Sequence, residues 1–202
     1  RIGEGSLGGK ARGLAFMNSM LVKYSQYAKY ENVRVTIPRT VVVATDYFDA
    51  FIRNNGLEYV LTTEMTDEEI LSEFVSSTLP YKLREALKAY VRTVSGPLAV
   101  RSSSKLEDSH YQPFAGIYST YMIPYTEGNE DRQLRLLQKA IKSVYASTYF
   151  AASKAYVQSS QNLIAEEKMA VVIQEVCGTE QDGLFFPTLS GVARSITYFP
   201  IG

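Results

Sequence analysis

The sequence has 202 residues, of which 46% are apolar and 21% are charged, and its 21 Lys and Arg residues are balanced by 21 Asp and Glu residues. A neutral chain lacks the excess positive charge that nucleic-acid binding requires, and no apolar stretch is long enough for a membrane helix. We therefore expect no nucleic-acid partner, no membrane segment and a cytoplasmic location.

Helices and strands are predicted to mix along the chain without an internal repeat. In chain order the sequence predicts a helix that begins at Gly8, a strand over 40–44, helices over 46–54, 66–75 and 80–94, strands over 98–101 and 116–123, a helix over 128–156, and strands over 169–176 and 191–197. Residues 102–113 are polar and without a period, so a mobile loop is expected between two strands. The pattern indicates an α+β domain, with a small helical insert at about 64–95.

Two glycine-rich patterns near the N-terminus fail as nucleotide-binding motifs. Gly3, Gly5 and Gly8 match G-x-G-x-x-G, but a dinucleotide fingerprint needs a strand before its first glycine, and there is no room for one here. The Walker pattern fails because Ala11 follows Lys10, where a hydroxyl residue is required.

The single histidine and the single cysteine carry no predicted chemistry. One cysteine excludes an internal disulfide, and one residue of each type is too few for a zinc site of thiolates and imidazoles. His110 lies in the polar loop, where a solvated side chain is the simpler interpretation. Cys177 follows an apolar strand and is interpreted as a small packing residue.

Two basic residues are candidate phosphate ligands. Lys10 falls in the first turn of a helix directly after Gly9, where the backbone can approach a phosphate and the helix amides point at it. Arg101 ends an apolar strand, from which its guanidinium can bind a phosphate through two nitrogens. For each residue taken alone, an ordinary solvated side chain explains the sequence equally well.

Five segments, in order, resemble the ATP-binding domain of the pyruvate phosphate dikinase and phosphoenolpyruvate synthase family. They are 8–14 (GGKARGL), 98–104 (LAVRSSS) followed by 107–108 (ED) and 114–116 (FAG), 144–147 (VYAS), 169–176 (MAVVIQEV) and 190–193 (SGVA). The resemblance covers most of residues 1–202. It implies an ATP-grasp fold with a mixed or antiparallel sheet, in which ATP lies between two α+β lobes.

The resemblance also implies roles for matching residues. Lys10 and Arg101 would hold the phosphates as the catalytic residues, with Gly9 beside them, because phosphoryl transfer depends on positioning and charge stabilisation. The residues that would line a flap over the triphosphate are Ser103, Gly116 and Thr120.

Residues 169–176 would supply the adenine end of the site. The resemblance places Gln174, Glu175 and Val176 there, with backbone groups of Glu175 and Val176 pairing with the edge of the base. The same apolar run is interpreted as plain core when the resemblance is set aside.

The implied activity is that of a phosphotransferase with ATP and Mg²⁺ as cofactors. ATP would phosphorylate a histidine on a swivelling domain, which passes the group to pyruvate on another domain. Residues 190–202 contain no Asp or Glu, so we expect the metal ligands to lie outside the chain, which would be truncated at its C-terminus and inactive alone. A non-catalytic nucleotide sensor or interaction module, and a related enzyme with another acceptor, remain as alternatives.

Overall fold

The fold is described from a computed structural model over residues 1–24, 32–104, 118–159 and 168–192. In these ranges the elements are α1 (Gly8–Lys23), β1 (Thr40–Val43), α2 (Thr45–Asn55), a 3-10 helix (Leu57–Leu61), α3 (Asp67–Ser76), α4 (Tyr81–Val91), β2 (Leu98–Ser103), β3 (Thr120–Ile123), α5 (Glu130–Ser147), α6 (Ala151–Ser159), β4 (Ala170–Glu175), β5 (Thr179–Gln181) and β6 (Leu184–Phe186). The α+β class predicted from the sequence is confirmed.

Four strands form one antiparallel sheet in the order β1-β4-β2-β3. The long central strands β2 and β4 run from the pair Leu98–Glu175 to the pair Ser103–Ala170. β5 and β6 form a separate antiparallel hairpin. Residues 169–173 are all buried although alternate side chains point to opposite faces, so this part of β4 is covered on both faces, which explains its nearly continuous apolar sequence.

One face of the sheet forms the core. The buried residues on this face include Val43, Leu98, Val100, Val171 and Ile173. α5 contacts β2 and β3 and also packs against α3 and α4, so its buried stripe of Leu137, Ile141 and Val144 joins the sheet to the helical segment. The opposite face carries the alternate residues and is more open: Met122 on β3 is 62% exposed.

Local signals define several helix ends as the sequence predicted. Thr66 and Glu69 form the expected capping box at the start of α3, and Gly56 ends α2 with φ of 62°, a conformation that glycine adopts at low cost. At the other end of α3, Lys142 donates hydrogen bonds to the carbonyls of Val75 and Ser77. These carbonyls have no intrahelical donor, so the lysine satisfies them and complements the helix dipole.

Other sequence predictions differ from the structure. β2 extends to Ser103, two residues into the segment predicted as a loop, and the long helix predicted over 128–156 is divided into α5 and α6. Cys177 is exposed, so its interpretation as a packing residue was wrong. The predicted strand over 191–197 does not form at 191–192, and its remainder lies outside the described residues.

The apolar spacing that predicted α1 does not mark a buried stripe. Met17 and Tyr24 are exposed, and the residues that α1 buries are Gly8, Gly9 and Ala11 in its first turn. Packing of this helix is therefore concentrated at its N-terminal end. Within the described ranges, the helices are all too short or too polar to cross a membrane.

Tyr145 carries a buried hydroxyl that has no hydrogen-bond partner among the described residues. Its ring packs against Phe48 and Phe51 at centroid distances of 5.1 and 5.5 Å, and burial raises the pKa of the phenol. Because an unpaired buried hydroxyl costs about 1–3 kcal/mol, we expect Tyr145→Phe to leave the free energy of unfolding unchanged or to raise it by about 1 kcal/mol. Denaturant titration measures this change.

Ser153→Ala is the matched control for Tyr145→Phe. The Ser153 hydroxyl is also buried, but it donates to the carbonyl of Ser147 at 2.6 Å, so its removal is expected to cost about 1 kcal/mol. A loss of more than 1 kcal/mol in Tyr145→Phe would show that the hydroxyl has a partner.

Candidate functional site

The first turn of α1 is bonded to the end of β2. The Gly9 N–H donates to the Ser104 carbonyl at 2.9 Å, and the Ala11 N–H donates to the Ser103 hydroxyl at 3.1 Å. The Ser103 hydroxyl in turn donates to the Leu7 carbonyl at 2.8 Å. The helix amides of Gly9 and Ala11, which were expected to point at a phosphate, are thus paired with the protein itself.

This contact brings Lys10 to the end of β2. Its Nζ donates to the carbonyl of Ser102 at 3.1 Å and to the Ser102 hydroxyl at 3.2 Å. Ser102 directly follows Arg101, and both Lys10 and Arg101 are partly exposed. The structure therefore places the two predicted phosphate ligands at the same end of one strand, although they lie 91 positions apart in the sequence.

Arg101 lies on β2, one of the two central strands, and it belongs to the open face of the sheet. Its register partners are Thr120 on β3 and Val172 on β4. Side chains alternate along a strand, so Arg101, Thr120 and Gln174 share this face, whereas Leu98 and Val100 point into the core. The sheet thus gathers residues from three strands of the predicted site onto one surface.

Gln174 is held by the edge strand of the sheet. Its Nε2 donates to the Thr40 hydroxyl at 3.0 Å, and the Thr40 hydroxyl donates to the Pro38 carbonyl at 2.7 Å. These two bonds fix the amide at the level of β1. The remaining amide oxygen is the polar group that Gln174 offers to the open face.

The backbone N–H groups at the end of β4 are already bonded. The Glu175 N–H donates to the Arg39 carbonyl and the Val176 N–H donates to the Pro97 carbonyl, each at 2.9 Å. An adenine that paired with the Val176 N–H would have to displace the bond to Pro97. Pro97, the residue before β2, has no N–H to donate in return, so it provides no donor for the Val176 carbonyl.

The Glu175 carboxylate lies in a partly buried charged cluster that the sequence gave no reason to expect. Its Oε1 is 3.4 Å from Nη1 of Arg39, and the Glu175 side chain is 22% exposed. Burial raises the pKa of the neighbouring Tyr90 to about 12; the negative charge of Glu175 adds to the increase and Arg39 opposes it.

A cavity of about 570 Å³ opens beside Val176. Its apolar walls come from Pro97, Met122, Ile123, Leu184 and Phe185. The last two belong to the β5–β6 hairpin, which was missed in the sequence. The available signal was Asp182-Gly183, because both residues have positive φ, 51° and 77°, and Asp-Gly is favoured in tight hairpin turns.

The glycine-rich loop whose dinucleotide motif was rejected contacts the carboxylate of Asp46. The N–H groups of Glu4 and Gly5 donate to the carboxylate of Asp46 at 3.2 and 3.0 Å. Gly3 has φ of 92°, and an added Cβ there would meet the same carboxylate. The loop is shaped to bind a side chain of α2, which agrees with the rejection of a dinucleotide site.

Part of the predicted site is not covered by the structure. Gly116 and His110 lie outside the described residues. Where the chain is described, no group of three or more His, Cys, Asp or Glu side chains could hold a metal ion.

Comparisons with known proteins identify the family. The model of the AMP/ATP-binding domain of pyruvate phosphate dikinase matches residues 4–199. An uncharacterized phosphotransferase of Bacillus subtilis, YvkC, is 31% identical over 157 residues, which is 74% of this chain and 17% of the relative. The phosphoenolpyruvate synthase of Aeropyrum pernix is 29% identical, over 89% of this chain and 22% of the relative.

The chain spans only about a fifth of the length of these two relatives. The match to the family model, in contrast, extends over nearly the whole chain and includes both ends of the sheet face described above. The chain therefore belongs to the family of the AMP/ATP-binding domain of pyruvate phosphate dikinase.

Proposed function

We propose that this chain binds ATP along the open face of its sheet, in an ATP-grasp arrangement. The observation that carries the proposal is that Lys10 donates to Ser102, the residue that follows Arg101 on β2. An ammonium and a guanidinium at one strand end supply the positive charge that a triphosphate requires. The family match supports ATP as the nucleotide.

The adenine would lie at the other end of the same strand pair. Arg101 is level with Val172, and Val176 follows four residues later, about 13 Å along an extended chain. An extended nucleoside triphosphate spans such a distance. We assign the base to the apolar cavity beside Val176, with the Val176 carbonyl accepting from its amino group and Gln174 and Glu175 completing this end.

The flap would start where β2 meets α1. Ser103 joins the two through its hydroxyl, Thr120 begins the strand that returns to the sheet, and Gly116 lies between them in the sequence. We propose that this segment closes over the phosphates, with Gly9 allowing the first turn of α1 to stay close to the flap's base.

For the complete protein we propose a phosphotransferase with ATP and Mg²⁺ as cofactors. In this proposal ATP phosphorylates a histidine on a swivelling domain, which transfers the group to pyruvate. The names of the two relatives, a phosphotransferase and a phosphoenolpyruvate synthase, support this class of reaction. Residues 1–202 would be the nucleotide-binding part, without phosphoryl transfer of their own.

Calorimetric titration with ATP and Mg²⁺ tests the proposal, using residues 1–202 and a form extended at the C-terminus. We expect both to bind ATP and only the longer form to transfer phosphate from labelled ATP. Transfer by neither form, with binding by both, would favour a nucleotide sensor. Equal phosphate transfer by both forms would contradict the proposal that residues 1–202 bind ATP without transferring phosphate. Absence of ATP binding in both forms would reject the nucleotide site.

A further inference from the structure

Arg39 links three segments at the end of β4. Its carbonyl accepts the Glu175 N–H at 2.9 Å, and its Nη1 donates to the Thr93 carbonyl at 2.6 Å and to Glu175 Oε1 at 3.4 Å. The residue therefore holds both the backbone and the side chain of Glu175. Thr93 lies just beyond α4, so the guanidinium also ties the strand to the helical segment.

The Tyr90 hydroxyl is a second polar group in the neighbourhood of the Glu175 carboxylate. Tyr90 is 8% exposed, and its hydroxyl has no hydrogen-bond partner among the described residues. A buried phenol without an acceptor can donate to a carboxylate within reach, and in the structure the Glu175 carboxylate is bonded to Arg39 instead. Without Arg39, we expect Glu175 to turn toward Tyr90 and to draw the end of β4 with it.

On these contacts we propose that Arg39 is a positioning residue, which fixes the end of β4 so that Glu175 and Val176 present one defined edge to the base of a nucleotide. This inference rests on the proposed function. Arg39 touches no ligand in this proposal and acts through Glu175. The Arg39 side chain is 56% exposed and that of Glu175 is 22% exposed. An ion pair with one partner at the surface contributes little to folding, so the loss of Arg39 should affect binding more than stability.

The test compares ATP with inorganic tripolyphosphate, which lacks the adenosine part. Calorimetry on wild type and Arg39→Ala should show ATP affinity reduced by about fivefold to tenfold in the variant, the size expected when a charged hydrogen-bond network is lost. The affinity for tripolyphosphate should stay within about twofold, because Lys10 and Arg101 lie at the opposite end of the strand pair.

Arg92→Ala is a matched control. Arg92 is 60% exposed and its Nε lies 3.4 Å from Glu130 Oε2, so it matches Arg39 in the exposure of the arginine and in the separation of the ion pair, without a contact to β4. It should leave the affinity for both ligands unchanged. If Arg39→Ala fails to fold, Arg39→Lys keeps the charge without the guanidinium fork, and the same comparison decides.

Equal weakening of ATP and tripolyphosphate in the Arg39 variant would show a general structural loss and would overturn the inference. Unchanged ATP affinity would overturn it as well. A wild-type protein that binds tripolyphosphate but gains nothing from the adenosine part would reject this role of β4 while leaving the phosphate ligands in place. Absence of binding to either ligand would instead reject the proposed function itself.

Discussion

Replacing Lys10 or Arg101 by alanine is expected to remove about 2 to 4 kcal/mol of transition-state stabilisation from ATP-dependent phosphoryl transfer, a loss of about 30-fold to 1,000-fold in kcat. The Lys10 ammonium is held on Ser102 of β2, and Arg101 carries a second positive charge on the same strand. Phosphoryl transfer gains most of its rate from such charges, because little else on the protein takes part in the chemistry. Turnover of labelled ATP by the extended protein measures the effect.

Lys23→Ala is the control for this pair of variants. Lys23 is an exposed lysine in the last turn of α1, at the far end of the helix that carries Lys10. Lys23→Ala removes one positive charge from the same helix at a position far from β2, so turnover should remain at the wild-type level. Unchanged turnover in Lys10→Ala and Arg101→Ala would reject the assignment of both residues.

The features that the sequence predicted well are those fixed by neighbours in the chain. The capping box joins Thr66 to Glu69 within one helical turn, and the αL conformation of Gly56 follows an amphipathic helix. β4 was predicted because the five successive apolar residues of 169–173 suit a strand that is covered on both faces. Such signals depend on local geometry, which a single sequence displays directly.

Contacts between distant segments could not be predicted from local patterns in the sequence. The carboxylate of Asp46 holds the loop at Glu4 and Gly5, and nothing in either segment identifies the other. The sequences around Arg39 and Glu175 do not indicate the contact between them, since each is an ordinary strand sequence. The family resemblance implied the candidate site residues but not the hydrogen bonds that already engage their backbone groups.

The end of β4 shows how a correct local prediction can leave the chemistry of a segment undetermined. The apolar run and its polar end at Glu175 were visible in the sequence, yet the donors of Glu175 and Val176 depend on which residues face them across the ladder. Pro97 takes the Val176 N–H and has no N–H to give back. The chemistry of this edge is therefore set by β2 as much as by β4.

Gly8→Ala is expected to destabilise the chain by about 2 to 5 kcal/mol, which combines the cost of a left-handed conformation for alanine with overpacking. Gly8 has φ of 68°, and an added Cβ would fall on the backbone carbonyl of Ser103. Ser103 is paired with Ala170 in the sheet, so its backbone cannot easily retreat. Denaturant unfolding, followed by circular dichroism, measures the loss.

Gly13→Ala separates this steric effect from helix propensity. Gly13 lies on the same helix with no atom within 4 Å of an added Cβ, so alanine there should stabilise by up to about 1 kcal/mol. Because Lys10 reaches Ser102 only while the first turn of α1 stays against β2, the folded fraction of Gly8→Ala should also bind ATP more weakly, whereas Gly13→Ala should bind it normally. Wild-type stability in Gly8→Ala would show that α1 does not approach β2 as closely as described.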